Sequence, residues 1–164
     1  MKLESLQELF VEELQDLYSA ENQIIEALPD MIEEASSPEL KKALNDHLEQ
    51  TRGQVKRLDQ IFDQLKGVDR EDKSCKGMEG IIEDNQELLE TDAEPEVLDA
   101  GMIAGAQRVE HYEIAGYGTV RTYAQLLGRK EWAQLLEQTL QEEKQADQLL
   151  NQLAGRINIE AKAA

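Results

Sequence analysis

Apolar residues recur every three or four positions along most of this chain, which is the spacing of amphipathic helices. The first such run covers 3–35, where Pro29 is predicted to kink the helix or to split off its last turn. The second covers 38–66, with Ser37 as the predicted N-cap and Pro38 in the first helical position. Alternating strand patterns are short throughout. The pattern therefore predicts an all-α protein.

The second half of the chain adds a short helix and two long ones. The short helix is predicted over 77–90 and the third long helix over 95–127. The third long helix is apolar over a wide arc with recurrent small residues, so it is expected at the centre of a bundle or at a subunit interface. Gly128 is predicted to end it. A fourth long helix covers 129–154, closed by Gly155 before a frayed tail.

The spacing of the helices predicts their topology. Short turns near Ser36 and Gly128 create two antiparallel hairpins, and a long connection with its own short helix joins them. One long crossover is characteristic of ferritin-like four-helix bundles. We therefore expect a single ferritin-like domain over 1–164. Its parts are a first hairpin at 1–66, a crossover at 67–95, a second hairpin at 96–155 and a tail at 156–164.

Several acidic residues fall on the faces of the long helices that should form the core. A helix turns by about 100° per residue, which puts Glu21, Glu113 and Glu143 at the centres of their apolar stripes. Glu110 lies at the edge of its stripe and Asp147 slightly off centre. Glu113 and Glu143 are equally distant from Gly128 in sequence, so an antiparallel hairpin places them at the same height.

On the second helix, the inward side chains near that height are His47 and Gln54. Clustered carboxylates in a core are costly unless a cation, protons or basic partners compensate them. Oxygen ligands with imidazole suit iron or manganese, and glutamates on facing helices match the di-metal carboxylate design. The candidate metal ligands are Glu21, His47, Gln54, Glu110, Glu113, Glu143 and Asp147. The alternative is that hydrogen bonds or water at the bundle mouth neutralise these acids.

Composition and charge exclude several classes of partner and of metal site. The net charge of −18 and the aromatic content of 4% argue against a nucleic-acid binder, and the charge also argues against an anionic membrane surface. Cys75, the only cysteine, excludes an internal disulfide and a multi-cysteine metal site. No apolar run approaches the ~20 residues of a membrane helix. The reducing cytoplasm is the expected compartment.

Five short stretches resemble the YciF-like bacterial stress proteins, a ferritin-like family related at fold level to rubrerythrin. These stretches follow one another over nearly the whole chain, at 16–21, 47–51, 78–80, 109–115 and 142–144. The resemblance implies a cytoplasmic, homodimeric four-helix bundle that is induced by stress and carries a di-iron-type site.

The resemblance also implies a ligand pattern. Rubrerythrin-type sites use a Glu on the first helix, Glu-x-x-His on the second, Glu-x-x-Glu on the third and Glu-x-x-His on the fourth. Glu21 corresponds to the first of these, Glu110 and Glu113 correspond to the third, and Glu143 corresponds to the Glu of the fourth.

The chain departs from the pattern at three positions. Ala146, next to Asp147, occupies the place of the fourth-helix His, and Thr51 and Gln54 occupy the two second-helix places. An alternative frame that starts at Glu49 points largely outward. Because imidazole ligands contribute much of the affinity for Fe(II), three outcomes stay open: one bound metal, weak binding, or none.

Four further residues have more than one interpretation each. His47 is either a non-standard ligand or a hydrogen-bonded core histidine, and Tyr117 either donates to a carboxylate or only packs in the core. His111 is predicted to point away from the acids. It then lies behind the metal ligands, at a subunit interface or on the surface. Cys75 is an exposed or packed thiol with no assigned role.

Two functional hypotheses follow. The first is a ferritin-like stress-response protein whose iron or manganese site supports weak oxidase or peroxide-scavenging chemistry. The second is a non-enzymatic dimeric bundle that acts through protein contacts and keeps a vestigial site. The five inward acids favour the first, and the missing ligands favour the second. An iron-storage cage fits poorly, because nothing in the sequence encodes a large closed assembly.

Overall fold

The structure, a computed structural model, describes residues 3–164, and its regular secondary structure is all helix. No strand occurs within these residues, which confirms the all-α prediction. Four long helices and one short helix follow one another along the chain: α1 Leu6–Glu34, α2 Pro38–Phe62, α3 Lys76–Leu89, α4 Pro95–Leu126 and α5 Lys130–Ala163.

Serine caps begin the first two helices. The Ser5 hydroxyl accepts a hydrogen bond from the Glu8 amide at 3.2 Å, and the Ser37 hydroxyl accepts one from Leu40 at 3.3 Å. Pro38 follows Ser37 in the first turn, as predicted. Each cap satisfies an amide that the helix itself leaves free, which fixes where the helix begins.

Three helix ends differ from the sequence prediction. Pro29 lies inside an unbroken α1, so the predicted split of the last turn is wrong, while the alternative of a kink stays a prediction. The buried Met31 holds that last turn in the core. Helix α2 ends at Phe62 rather than Lys66, because the next amides bond three residues back in tighter turns. Helix α5 continues through Gly155 to Ala163, since Ile157 is buried beyond the glycine and anchors the predicted tail.

The helix packing creates two apolar clusters with a polar layer between them. Helix α1 packs against α2 and α4, α5 packs against α4 and α2, and α3 lies against α1 and α4. One apolar cluster contains Leu28, Leu44 and Leu150, and the other contains Phe10 and Leu58. The gap between the clusters falls at the same height on all four long helices, and it holds the buried acids.

Small residues of α4 let neighbouring helices approach closely. A Cβ atom at Gly116 would lie 2.8 Å from a methyl carbon of Leu17 on α1, and one at Gly105 would overlap the Asn85 carboxamide of α3. The third long helix was predicted at the centre of a bundle or at a subunit interface. In the structure, as α4, it is buried against α1, α3 and α5 of the same chain.

Asp99 ties α4 to the turn between α1 and α2. Its two carboxylate oxygens accept hydrogen bonds from the amides of Ser36 at 2.8 Å and Ser37 at 2.7 Å. The side chain is buried, so these bonds are little weakened by water. The contact fixes the height of α4 relative to the first hairpin, and with it the height of the acids that α4 carries.

Candidate metal centre

The polar layer between the two apolar clusters contains six of the seven predicted ligands. The side chains of Glu21, Glu113, Glu143 and Gln54 are fully buried, and those of His47 and Glu110 are nearly so, at 7% and 2% exposed. Every long helix contributes at least one of them. The helical periodicity explains this arrangement, because each of these residues interrupts an apolar stripe that faces the core.

Four of these side chains converge on one point. One ligand atom from each of His47, Glu110, Glu113 and Glu143 lies within 4.8 Å of the others. His47 Nδ1 is 3.3 Å from Glu110 Oε1. Two ligands on opposite sides of a metal ion are about 4–5 Å apart, so the spacing suits a shared cation.

Two hydrogen bonds orient the carboxylates. The Tyr117 hydroxyl donates to Glu21 Oε1, and Gln54 Nε2 donates to Glu143 Oε1. Tyr117 therefore does more than pack in the core, because its hydroxyl donates a hydrogen bond to the Glu21 carboxyl. Both donors hold one oxygen of their partner and leave the other oxygen, Oε2, pointing elsewhere.

Several buried ligand atoms have no hydrogen-bond partner among residues 3–164. They are Glu21 Oε2, Glu110 Oε2, Glu143 Oε2, both oxygens of Glu113 and both ring nitrogens of His47. Because His47 Nδ1 lies 3.3 Å from Glu110 Oε1, both interpretations of His47, as a ligand and as a core histidine beside a carboxyl, stay open. Unpaired buried polar atoms are costly. Protons shared between Glu110 and Glu143 and between Glu113 and Glu21 are one way to satisfy these carboxyls. A cation bound by His47, Glu110, Glu113 and Glu143 is another.

Burial sets the protonation of the centre. Together with the charge of Glu143, it raises the pKa of Glu21 to about 8. Burial holds the pKa values of Glu110 and Glu113 well above their usual range. The next cause is a hydrogen bond with Glu143 for Glu110 and the charge of Glu143 for Glu113. Burial lowers the pKa of His47, so its imidazole is neutral near pH 7, the form that ligates metals.

The structure does not bring Asp147 into this group. Its Oδ1 accepts a hydrogen bond from Gln107 Nε2 at 3.1 Å and lies 3.2 Å from His111 Nε2. His111 is exposed, so of the three predicted places it occupies the surface. The off-centre position of Asp147 on α5 explains the difference, because it turns the carboxylate towards the edge of the bundle.

A half-buried ion pair that supports Gln54 was missed from the sequence. Arg57 Nη2 contacts Glu142 Oε1 at 2.6 Å, and Gln54 Nε2 lies 3.2 Å from Glu142 Oε2. Arg57 follows Gln54 by one helical turn, and Glu142 precedes Glu143. A search for charges one turn from each candidate ligand would have found the pair.

Cys75 is packed rather than exposed. Its Sγ accepts from the Met78 amide at 3.4 Å, which caps α3, and lies 3.0 Å from both Asp16 Oδ2 and the Tyr112 hydroxyl. Tyr112 also donates to Asp16 Oδ2 at 2.8 Å. The thiol therefore joins α3 to α1 and α4 behind the polar layer.

Comparison with known proteins places the chain in a family. The family described as "Domain of unknown function (DUF892)" matches residues 5–163. The chain belongs to the DUF892 family. Protein YciF of Escherichia coli is 42% identical to this DUF892 protein over 154 residues, which are 94% of this chain and 93% of YciF. This confirms the resemblance to the YciF-like stress proteins.

Two solved structures share the fold of this DUF892 protein. The crystal structure of the E. coli stress protein YciF matches with a TM-score of 0.91 and 41% identity, covering 94% of this chain and 98% of YciF. YcfI of Rhodopseudomonas palustris matches with a TM-score of 0.87 and 41% identity, covering 92% and 95%. None of the helices within residues 3–164 is long and apolar enough to cross a membrane.

Proposed function

We propose that this DUF892 protein is a ferritin-like, metal-binding stress protein whose ion is iron or manganese. His47, Glu110, Glu113 and Glu143 are the ligands of the main position. The observation that carries the proposal is the convergence of their ligand atoms together with the unpaired oxygens and nitrogens that remain at each residue. The proposal goes beyond what the family name states.

The donor set determines which ions suit the site. Three carboxylates and one neutral imidazole form a mixed oxygen and nitrogen environment, without a thiolate. Such donors suit Fe(II) and Mn(II) rather than the soft ions that thiolates select. A bound iron ion would supply electron exchange with O₂ or peroxide, and the buried residues around it would exclude bulk water.

A second position is expected beside the first. Glu21 Oε2 and Gln54 Oε1 are buried without hydrogen-bond partners in the described chain. The Glu21 and Glu113 carboxyls are close enough to interact, because the charge of Glu21 raises the pKa of Glu113. A second ion there would share carboxylates with the first, as in di-metal carboxylate sites. Because Ala146 and Gln54 replace two ligands, we expect the second ion to bind more weakly.

Protons compensate the acids when no metal is bound. The raised pKa values of Glu21, Glu110 and Glu113 keep these carboxyls largely neutral near pH 7. Metal ligation requires carboxylates, so binding releases protons and strengthens as the pH rises. This behaviour separates a metal site from a permanently neutral polar layer.

The wider proposal keeps the architecture and assembly expected from the sequence. We infer a single ferritin-like four-helix bundle over 1–164, in which the hairpin of α1 and α2 is joined to the hairpin of α4 and α5 by the crossover that contains α3. A homodimer and a cytoplasmic location stay predictions. The packing of α1, α2, α4 and α5 around the polar layer supports the bundle assignment.

A second candidate function is a non-enzymatic bundle that acts through protein contacts. The observation that favours it is the pair of internal hydrogen bonds, from Tyr117 to Glu21 and from Gln54 to Glu143. These bonds satisfy part of the polar layer without a metal. In this candidate the acids remain as polar packing and the centre has no metal affinity.

Metal stoichiometry distinguishes the two candidates. Metal-free, untagged protein is loaded anaerobically with Fe(II) or Mn(II), desalted and measured by elemental mass spectrometry. We expect one or two ions per chain, and loss of both in a Glu113→Gln/Glu143→Gln variant. A Glu83→Gln/Glu87→Gln variant makes the same charge change on the exposed face of α3 and should bind normally. No retained ion in the unaltered protein would support the second candidate.

A further inference from the structure

A cavity of about 240 Å³ lies next to the candidate metal centre. Side chains from all five helices line it, and most of the wall is aliphatic. The apolar part includes Leu28, Met31, Leu44, Val109 and Leu150, which also belong to the core. The cavity therefore reaches into the apolar cluster and opens to the surface beside exposed lining residues such as Asp30 and Asp46.

One end of this cavity is polar and unsatisfied. His47 and Glu110 line the cavity and are both more than nine-tenths buried. Both nitrogens of His47 and Oε2 of Glu110 have no hydrogen-bond partner in the described part of the chain. The wall that separates the cavity from the metal centre thus offers hydrogen-bond acceptors to whatever occupies the cavity.

Small side chains create the space. Ala43 on α2, Ala106 on α4 and Ala146 on α5 all line the cavity. Ala146 stands where the related ligand pattern has a histidine, so the position that lost a ligand also contributes to the empty volume. The cavity and the incomplete metal centre therefore share this residue.

Size and polarity identify the chemical class of the occupant. An apolar cavity of about 150 Å³ stays dry and accepts benzene, so the larger volume here admits a substituted ring or a short alkyl chain. The exposed carboxylates of Asp30 and Asp46 on the lining oppose an anion. A hydroxyl group, in contrast, would donate a hydrogen bond to His47 or Glu110.

We propose that this cavity binds a small neutral apolar molecule with one hydroxyl group, which lies beside the metal centre and donates to His47 or Glu110. Binding requires only the cavity and its two polar wall residues. This binding is separate from the proposed metal function, and we expect it in the metal-free protein as well.

The test uses 4-fluorophenol as the probe and the metal-free full-length chain as the receptor. Fluorine NMR follows binding, with 4-fluorobenzoate as the anionic comparison. Saturable one-to-one binding of the phenol is expected, with the benzoate weaker by about tenfold or more. In methyl NMR spectra, signals of Leu44 and Leu150 should shift, while those of Leu14 and Leu58 in the other cluster should not.

Variants locate the binding in the cavity. Ala146→Leu and Ala43→Leu each fill part of it and should weaken binding by about tenfold or more, since added methylenes exclude a ligand of this size. Ala104→Leu adds the same bulk on the exposed face of α4 and should leave binding unchanged. Absent saturation, equal binding of the benzoate, or shifts confined to the other cluster would each overturn the proposal. Because no metal is present, a failed metal site leaves this result unaffected.

Discussion

The hydroxyl of Tyr117 on α4 donates a hydrogen bond to Oε1 of Glu21 on α1, and both side chains are fully buried. The bond crosses the bundle between two helices that pack against each other, and it fixes the direction of the Glu21 carboxyl. Oε2 of that carboxyl is left without a hydrogen-bond partner in the described chain. Tyr117 therefore positions Glu21 and leaves one oxygen available to a second ion.

Removal of this hydroxyl should destabilise the metal-free protein. Tyr117→Phe leaves Glu21 Oε1 buried without its donor, and a lost partner of this kind costs about 1–3 kcal/mol of unfolding free energy. Urea denaturation measures the change. Tyr123→Phe, on the same helix and only partly buried, is the control and should cost less than about 0.5 kcal/mol. Equal effects of the two variants would contradict the assigned role.

The stability of the metal-free protein should fall as the pH rises from 6.5 to 8. Burial raises the pKa of Glu21 to about 8 from an ordinary value of 4.5, so the folded state binds more protons than the unfolded state over this range. We expect a loss of about 2 kcal/mol in unfolding free energy from this carboxyl. The lowered pKa of His47 acts in the opposite direction, but only at lower pH, where the unfolded imidazole is charged.

A matched pair of variants assigns this pH dependence to the polar layer. Glu143→Gln removes the charge that, after burial, most raises the pKa of Glu21, so the loss of stability between pH 6.5 and 8 should be smaller. Glu83→Gln removes an exposed charge on α3 and should leave the slope unchanged. Urea denaturation at several pH values provides the measurement. A slope that is the same in all three proteins would place the effect in the overall surface charge instead.

The sequence was sufficient for the helices and for the core position of most candidate ligands. Helical periodicity alone puts Glu21, Glu113 and Glu143 inside, because an interrupted apolar stripe must face the core. Whether His47 makes a hydrogen bond depends on the side chains of other helices, so no local pattern could decide it. The prediction of Asp147 as a metal ligand went too far for the same reason, because contacts with another helix decide it. Gln107 on α4 donates to the Asp147 carboxylate at the edge of the bundle.

The errors at helix ends have a common physical cause. Proline and glycine predict a break from local backbone preferences, but Met31 and Ile157 are buried close to Pro29 and Gly155 and keep the helix in the core. The glycine that does end a helix, Gly128, has a positive φ of 72°, a conformation that favours glycine over other residues. Local signals therefore succeeded where the backbone conformation itself required the residue.

Asp99 should contribute to the free energy of unfolding through its contact with the turn between α1 and α2. Asp99→Ala removes two charge-assisted hydrogen bonds to the amides of Ser36 and Ser37, at a cost of about 2–4 kcal/mol. Thermal and urea unfolding measure the effect. Asp84→Ala, on the exposed face of α3, is the control and should change stability by less than about 0.5 kcal/mol. A cost for Asp99→Ala as small as that of the control would mean that the turn is fixed by other contacts.

A histidine at position 146 should strengthen metal binding. Ala146 lines the cavity together with His47 and Glu110, so an imidazole there would add a nitrogen ligand on the open side of the centre. We expect Ala146→His to raise the affinity for Mn(II) by about tenfold or more, in the range that single ligand changes produce. Isothermal titration calorimetry on metal-free protein measures the affinity.

The control for this gain is Ala104→His, which adds the same side chain to the exposed face of α4 and should leave the affinity unchanged. Ala146→His also fills part of the cavity, so it should weaken binding of 4-fluorophenol while it strengthens binding of Mn(II). These opposite changes in one variant are expected only if the cavity and the metal centre share a wall. An unchanged Mn(II) affinity in a folded Ala146→His protein would show that the space at 146 does not open onto the ligands.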